Sequence, residues 1–291
     1  MSAPNAGRTN QLLGYPHDAR LLIINADDFG MCHANNAAIA RTLQAGVVSS
    51  TSLMVPCPWA PHAMQLLKER PEIPFAVHLT AICEHSAYRW GPVSSKDRVP
   101  SLLDEAGFFY RLDRKDEFLA RAVPDEVATE FRAQIEAVLA AGLRPTHLDW
   151  HCLADGGRAD LFDLTLRLAR EYGLALRVHG RPSAEGCRRA GLPTIDHDVL
   201  DSYSLDTDGK AARYAQLLRD LPSGLSEWAV HPGLGDAEAR AMEPEGWRVR
   251  RADFDFFSSH EARAILDGEG IILTDYRALQ RVWSHGNDRQ G

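Results

Sequence analysis

The sequence predicts an α/β protein with about seven parallel strands in one (β/α) barrel-like domain. Three observations carry this. Short apolar runs rich in β-branched residues alternate with segments of helical period along most of the chain. No linker, low-complexity tract or internal repeat divides the 291 residues. The first strand-to-helix turn lacks the GxGxxG that would favour an open dinucleotide-binding sheet.

The elements follow in order. Met1 to Arg20 is polar, has no apolar centre, and reads as a flexible leader, not a secretory signal. The domain then runs from 21 to 291. Leu21 to Ala26 is a buried-strand run that stops at Asp27-Asp28-Phe29-Gly30. Asn35 to Ala45 is Ala-rich and closes at Gly46, a helix with a glycine stop. Val47 to Val55 reads as a strand ended by Pro56 and Pro58, Pro61 to Arg70 as a helix opened by proline, and Ile73 to Leu79 as a third strand. Between residues 81 and 123 the alternation fails. Gly91, Pro92, Ser94, Ser95 and Pro100 lie among Trp90, Phe108, Phe109 and Tyr110, which predicts a long irregular insertion. The pattern resumes with a helix from Pro124 to Ala141, a strand from Pro145 to His151, a helix from Ala159 to Tyr172 before Gly173, and a strand from Ala175 to His179. Pro182 to Thr207 is ambiguous. Gly209 to Leu221 reads as helix, Ser226 to His231 as strand, Gly235 to Ala252 as loop, Phe256 to Leu266 as helix and Gly270 to Thr274 as the last strand.

Composition narrows the partners. Thirty-two Lys and Arg against 40 Asp and Glu give a net charge of −8, which argues against a nucleic-acid groove or an anionic membrane surface. No apolar run reaches the roughly 18–20 residues that span a bilayer. Five cysteines, odd in number and without a CxxC pair, predict a reducing cytoplasm in place of a disulfide framework or a cysteine zinc knot.

The ionisable residues fall at strand ends. Asp27 and Asp28 close the first strand, His78 the third, and His231 the Ser226–His231 strand. His147, Asp149 and His151 alternate along another and so share one face. In a parallel barrel these ends converge on one mouth. Three polar side chains on an inward face are costly unless they bind something or one another. One carboxylate and two imidazoles make an open metal site, because catalytic zinc keeps three protein ligands and a position for water. Asp27 and Asp28, being adjacent, point in different directions, so one can ligate while the other stands beside the water. Taken singly, an Asp pair is more often a helix cap and a strand-end histidine a structural one. Cys152 has no evident base beside it. Trp90, Trp150 and Trp247 read first as core residues and second as platforms for a sugar ring.

The blocks Leu22-Ile23-Ile24-Asn25-Ala26-Asp27-Asp28-Phe29-Gly30, Gly46-Val47-Val48-Ser49-Ser50-Thr51-Ser52, Val77-His78-Leu79-Thr80, Pro145-Thr146-His147-Leu148-Asp149-Trp150-His151, Glu227-Trp228-Ala229-Val230-His231-Pro232-Gly233 and Ile272-Leu273-Thr274-Asp275-Tyr276 occur in one order. In them the chain resembles the YdjC-like carbohydrate deacetylases. The resemblance implies a seven-stranded barrel-like fold, one divalent metal ion, zinc or magnesium, and hydrolysis of an N-acetyl group from an amino sugar or its conjugate. It implies Asp28, His78 and His151 as metal ligands, Asp27 as catalytic base and His231 as general acid. His147, Asp149, Trp150 and Asp155 are expected around them, supporting ligands or facing substrate. The expected partner is a small carbohydrate or glycoconjugate, with a homodimer left open. The sequence departs from the family where Trp150 replaces a serine, and Leu153 and Asp155 replace two histidines. A substrate other than short chitin oligomers is therefore expected. The rival readings are a metal-dependent amidase or esterase on a different substrate, and a sugar-binding homologue without activity.

Overall fold

Leu21, Leu22, Ile23 and Ile24 are wholly buried at the start of the longest strand, β1 (Arg20–Phe29). A computed structural model describes residues 8–287. After β1 come β2 (Ser50–Leu53), β3 (Phe75–Leu79), β4 (Ile82–Cys83), β5 (Tyr110–Arg111), β6 (His147–Trp150), β7 (Ala175–Leu176), β8 (Leu200–Asp201), β9 (Gly224–Val230) and β10 (Ile272–Leu273). Eight of these form one sheet in the order β7-β6-β3-β2-β1-β9-β8, with β10 also on β1. All its pairings are parallel. β9 runs beside β1 from Arg20 to Ala26. The other flank of β1 is shared, with β10 at Leu21 and Leu22 and β2 from Asn25 to Phe29. The result is a curled half-barrel with helices outside, in which every strand points its C-terminal end to the same mouth.

Local chemistry sets the helices. The helix His33–Ala45 starts where Cys32 Sγ accepts from the Asn35 amide, and it stops at Gly46, whose φ of 75° is left-handed. Pro124 opens the helix Pro124–Ala140, with Asp125 and Glu126 in its first turn. Gly173 ends the helix Ala159–Tyr172.

Three expectations are corrected. Within the supposed leader, Arg8–Leu12 is a short helix. Its Thr9 hydroxyl donates to the Thr194 carbonyl at 2.8 Å and its Asn10 amide to the Ala19 carbonyl at 2.8 Å, both side chains being buried. The leader's first seven residues lie outside the described ones. The insertion at 81–123 is ordered: β4 pairs with β5, Lys115–Arg121 is helical, and Trp90, Phe109 and Phe118 are buried. Glu130 pins it, accepting from the Val93 and Ser94 amides at 2.9 and 3.0 Å. The supposed loop from Gly235 to Ala252 contains the helix Ala237–Met242 and most of the helix Trp247–Phe257. Pro244 and Gly246 obscure both by breaking the period between them. No helix among the described residues is long and apolar enough to cross a membrane.

Candidate metal centre and active site

Regular alternation would send Asp27 and Asp28 to opposite faces. Instead the β1–β2 register shifts between Ala26 and Phe29, and Asp28 adopts φ 70°. This is a bulge with a non-glycine residue in the left-handed region, a strain of order 1–3 kcal/mol that a fold keeps where geometry demands it. Both carboxylates thereby line one cavity of about 580 Å³ at the sheet mouth. Gly30, at φ 101°, completes the turn, and a Cβ there would come within 3.1 Å of the Met54 carbonyl oxygen.

β3 delivers His78, and His151 follows β6. Asp28 Oδ1 lies 3.6 Å from His78 Nε2 and 3.3 Å from His151 Nδ1. The three donor atoms all fall within 4.8 Å of one another. Tetrahedral zinc with bonds of about 2.0–2.2 Å keeps its donors roughly 3.4 Å apart, so this set fits a metal. Each imidazole has a carboxylate behind it. His78 Nδ1 meets Asp149 Oδ1 at 2.8 Å, and His151 Nε2 meets Glu84 Oε2 at 2.7 Å. Such partners fix the tautomer and orientation of a ligating histidine.

Two buried arginines complete the charge balance. Arg177, just past β7, grips both oxygens of Asp27 at 2.8 and 3.0 Å, and also reaches Asp149 at 3.0 Å and Glu227 at 2.7 Å. Burial would raise the Asp27 carboxyl, but Arg177 and His78 together hold it below the usual carboxylate value. Arg250, on the helix Trp247–Phe257, donates to Asp28 Oδ2 at 2.7 Å and to Glu243 at 2.5 Å. Against burial, Arg250 and the two histidines hold Asp28 well below its ordinary value. Asp28 thus turns one oxygen to the histidines and the other to Arg250. Beneath them Asn25 donates to Asp27 and to Ser52, each at 2.6 Å, and Ser52 donates to Asp149 at 2.5 Å. The carboxylates of this cluster are thus paired as buried charges require.

His231 lies just past β9 and lines the cavity. Its Nδ1 meets Ser202 Oγ at 2.9 Å and its backbone amide donates to Asp253. His147 is inward-facing but deep. It stacks on Tyr276 at 3.5 Å and does not line the cavity. Trp150 is among the residues that line the cavity, while its indole sits edge-on to Phe131 at 4.7 Å and donates to Thr165, both on outer helices. Asp155 stands behind the cavity wall, bonded to the backbone of the cavity-lining His179. Its carboxylate accepts from the His179 and Gly180 amides at 2.8 and 2.7 Å, and it is absent from the cavity lining, whereas Leu153 is present. Glu84, Arg177, Glu243 and Arg250 were not anticipated from the sequence. Glu84 lies in the irregular insertion and Arg250 in the supposed loop. Arg177 carried a signal, a lone charge inside a strand run.

The profile of the family described as YdjC-like protein matches residues 21–268. The chain belongs to the YdjC-like family. Among relatives in that family's range, a carbohydrate deacetylase of Brevibacillus brevis is 39% identical over 89% of this chain and 99% of its own length. One from Vibrio cholerae is 35% identical over 89% and 96% respectively. A crystal structure of a candidate cellobiose-phosphate cleavage protein from Enterococcus faecalis superposes with a TM-score of 0.75 at 28% identity, over 90% of this chain and 99% of that one. The fold of this YdjC-like chain is therefore shared along almost its whole length.

Proposed function

We propose that the chain is a divalent-metal-dependent N-deacetylase that releases acetate from an N-acetylated amino sugar or its conjugate. One observation carries the reading: a three-donor cluster, Asp28, His78 and His151, shares a cavity wall with a second carboxylate, Asp27, which also groups with His78 and Asp149 but is gripped through both oxygens by Arg177. The relatives named carbohydrate deacetylases support the substrate class. Asp28, His78 and His151 would hold the ion, and one carboxylate with two imidazoles suits zinc among several metals. A divalent ion there supplies Lewis-acid polarisation of an acyl oxygen and acidifies water.

The remaining steps belong to the protein. Asp27, kept ionised by Arg177, takes the proton from the water that attacks the acetyl carbon. Asp27 Oδ1 already accepts from Arg177 and Asn25, whereas Oδ2 accepts from Arg177 alone and retains a lone pair for that proton. An amide nitrogen leaves poorly until it is protonated. His231 is the residue for that step: Ser202 occupies its Nδ1, which leaves Nε2 to donate. Asp149 and Glu84 orient the two histidines, and Arg250 orients Asp28. Five unpaired cysteines suit a reducing compartment.

The test is acetate release from a panel of N-acetylated sugars, before and after chelation and after return of zinc or magnesium. Release that disappears on chelation and recovers with metal supports the reading. Release that persists without metal, or no release from any sugar, refutes it.

A further inference from the structure

Beside His231 the cavity wall carries a side chain that the chemistry above does not use. Tyr203 lies in the short 3-10 turn Ser202–Ser204 that follows β8. The Asp201 carboxylate accepts from the Tyr203 amide at 2.8 Å and fixes that turn. The neighbouring Ser202 holds His231, and the Tyr203 ring stands nearly perpendicular to the imidazole with centroids 4.7 Å apart. The same turn therefore places both the support of the general acid and an aromatic ring next to it.

The hydroxyl and the ring of Tyr203 have different surroundings. The hydroxyl donates to Glu243 Oε1 at 2.6 Å, and the other Glu243 oxygen receives Arg250, which in turn holds Asp28. That hydroxyl proton is committed to the protein. Yet the residue is 38% exposed, one of the few large apolar side chains on this surface, and it lines the cavity. The Arg250 guanidinium lies over the ring, 5.5 Å from its centroid, so what the residue offers a ligand is its remaining exposed carbon surface, anchored at one end and held beside the proton donor. A tyrosine locked this way loses little entropy when a ligand packs on it. The C–H face of a pyranose ring is the chemistry that matches an exposed aromatic face beside a leaving amine.

We propose that Tyr203 is the sugar-stacking platform of this site, setting specificity for a pyranose on the amine side of the scissile amide. This rests on the deacetylase reading. It adds to that reading that the ring, and not the hydroxyl, recognises substrate, and that recognition is of a sugar face and not of the acetyl group.

Three variants test it: Tyr203→Phe, Tyr203→Leu and Tyr203→Ala. Each is assayed on N-acetylated saccharides and on 4-nitrophenyl acetate, a small acetyl ester without a sugar ring. The expected result is a KM for saccharides raised about tenfold in the Leu and Ala variants, the size of one aromatic contact, with kcat changed much less. The Phe variant stays within about twofold in KM, and turnover of the ester is altered alike in all three. A Phe variant as impaired as the Ala variant overturns the platform, because the hydroxyl bond to Glu243 would then be what matters. Saccharide KM values within twofold of wild type in both Leu and Ala variants also overturn it. A wild-type enzyme that releases no acetate refutes the deacetylase reading instead. In that case, NMR titration with N-acetylglucosamine oligosaccharides reads the platform alone: about tenfold weaker binding by the Leu variant upholds it and equal binding overturns it.

Discussion

Asp28 is buried, strained in its backbone and placed beside a second carboxylate, and only the cations around it make that arrangement tolerable. Arg250 and two imidazoles surround it, as Arg177 surrounds Asp27. His147, one layer below, shows the opposite response to burial. Its Nδ1 meets Thr146 Oγ1 at 2.9 Å, and that hydroxyl also bonds the Phe75 carbonyl at 3.1 Å, while Nε2 has no partner. The consistent assignment is a neutral ring that donates from Nδ1, since a bare nitrogen lone pair costs less than a buried unbonded N–H. Burial accordingly pushes the imidazole from 6.5 down to about 3. The unfolded chain then binds a proton that the folded chain refuses between those values. This contribution to stability is complete above pH 6.5 and is lost as pH falls toward 3. We predict that His147→Phe, which keeps a ring against Tyr276, flattens the acid side of the stability profile by up to about 1.4 kcal/mol per pH unit. Urea unfolding at pH 6.5 and at a mildly acidic pH reads the two slopes, and parallel slopes contradict the assignment.

At the scale of elements, the site depends on how the helix Trp247–Phe257 is tied to β1. Arg250 is the tie, and removing it leaves Asp28 buried, and the partly buried Glu243, without their arginine. We predict that Arg250→Met lowers the stability of the metal-free protein by about 3–5 kcal/mol, measured by chemical denaturation in chelator. A loss under about 1 kcal/mol would mean that these ion pairs are already balanced by solvent. This helix also shows where sequence reading stops. Strand ends were legible, because Asp27, Asp28, His78, His151 and His231 each terminate an apolar run, and parallel topology brings such ends together. The bulge at Asp28 was not legible, since its neighbours fit ordinary alternation, and it alone turns both carboxylates into one cavity. Glu84 and Arg250 lie where periodicity fails, so nothing local marked them as partners of residues 67 and 222 positions away. For Asp155 the sequence left support and substrate contact both open, and its left-handed backbone turns the carboxylate onto two amides, one of them that of the cavity-lining His179.

Across the whole molecule, a half-barrel with one deep mouth brings the chemistry to one end and leaves specificity to the loops around it. Of the two departures from the family's histidines, only Leu153 faces the cavity. An aliphatic wall in place of an imidazole removes a hydrogen-bonding group, and polar sites discriminate strongly when such a group changes. We therefore predict that diacetylchitobiose is not the best substrate, as judged by kcat/KM against other N-acetylated glycosides and glycolipids. A wide margin in its favour would show that Leu153 leaves specificity untouched. The central claim, however, is the division of labour between adjacent carboxylates. Its most direct measurement is metal content and acetate turnover on the same preparations of wild type, Asp27→Asn, Asp28→Ala, His78→Ala and His151→Ala. The account predicts about one ion per chain in wild type and Asp27→Asn, with turnover in Asp27→Asn down roughly 10²–10⁴-fold, and loss of both metal and turnover in the other three. Equal metal loss in Asp27→Asn, or turnover in that variant close to wild type, would contradict it.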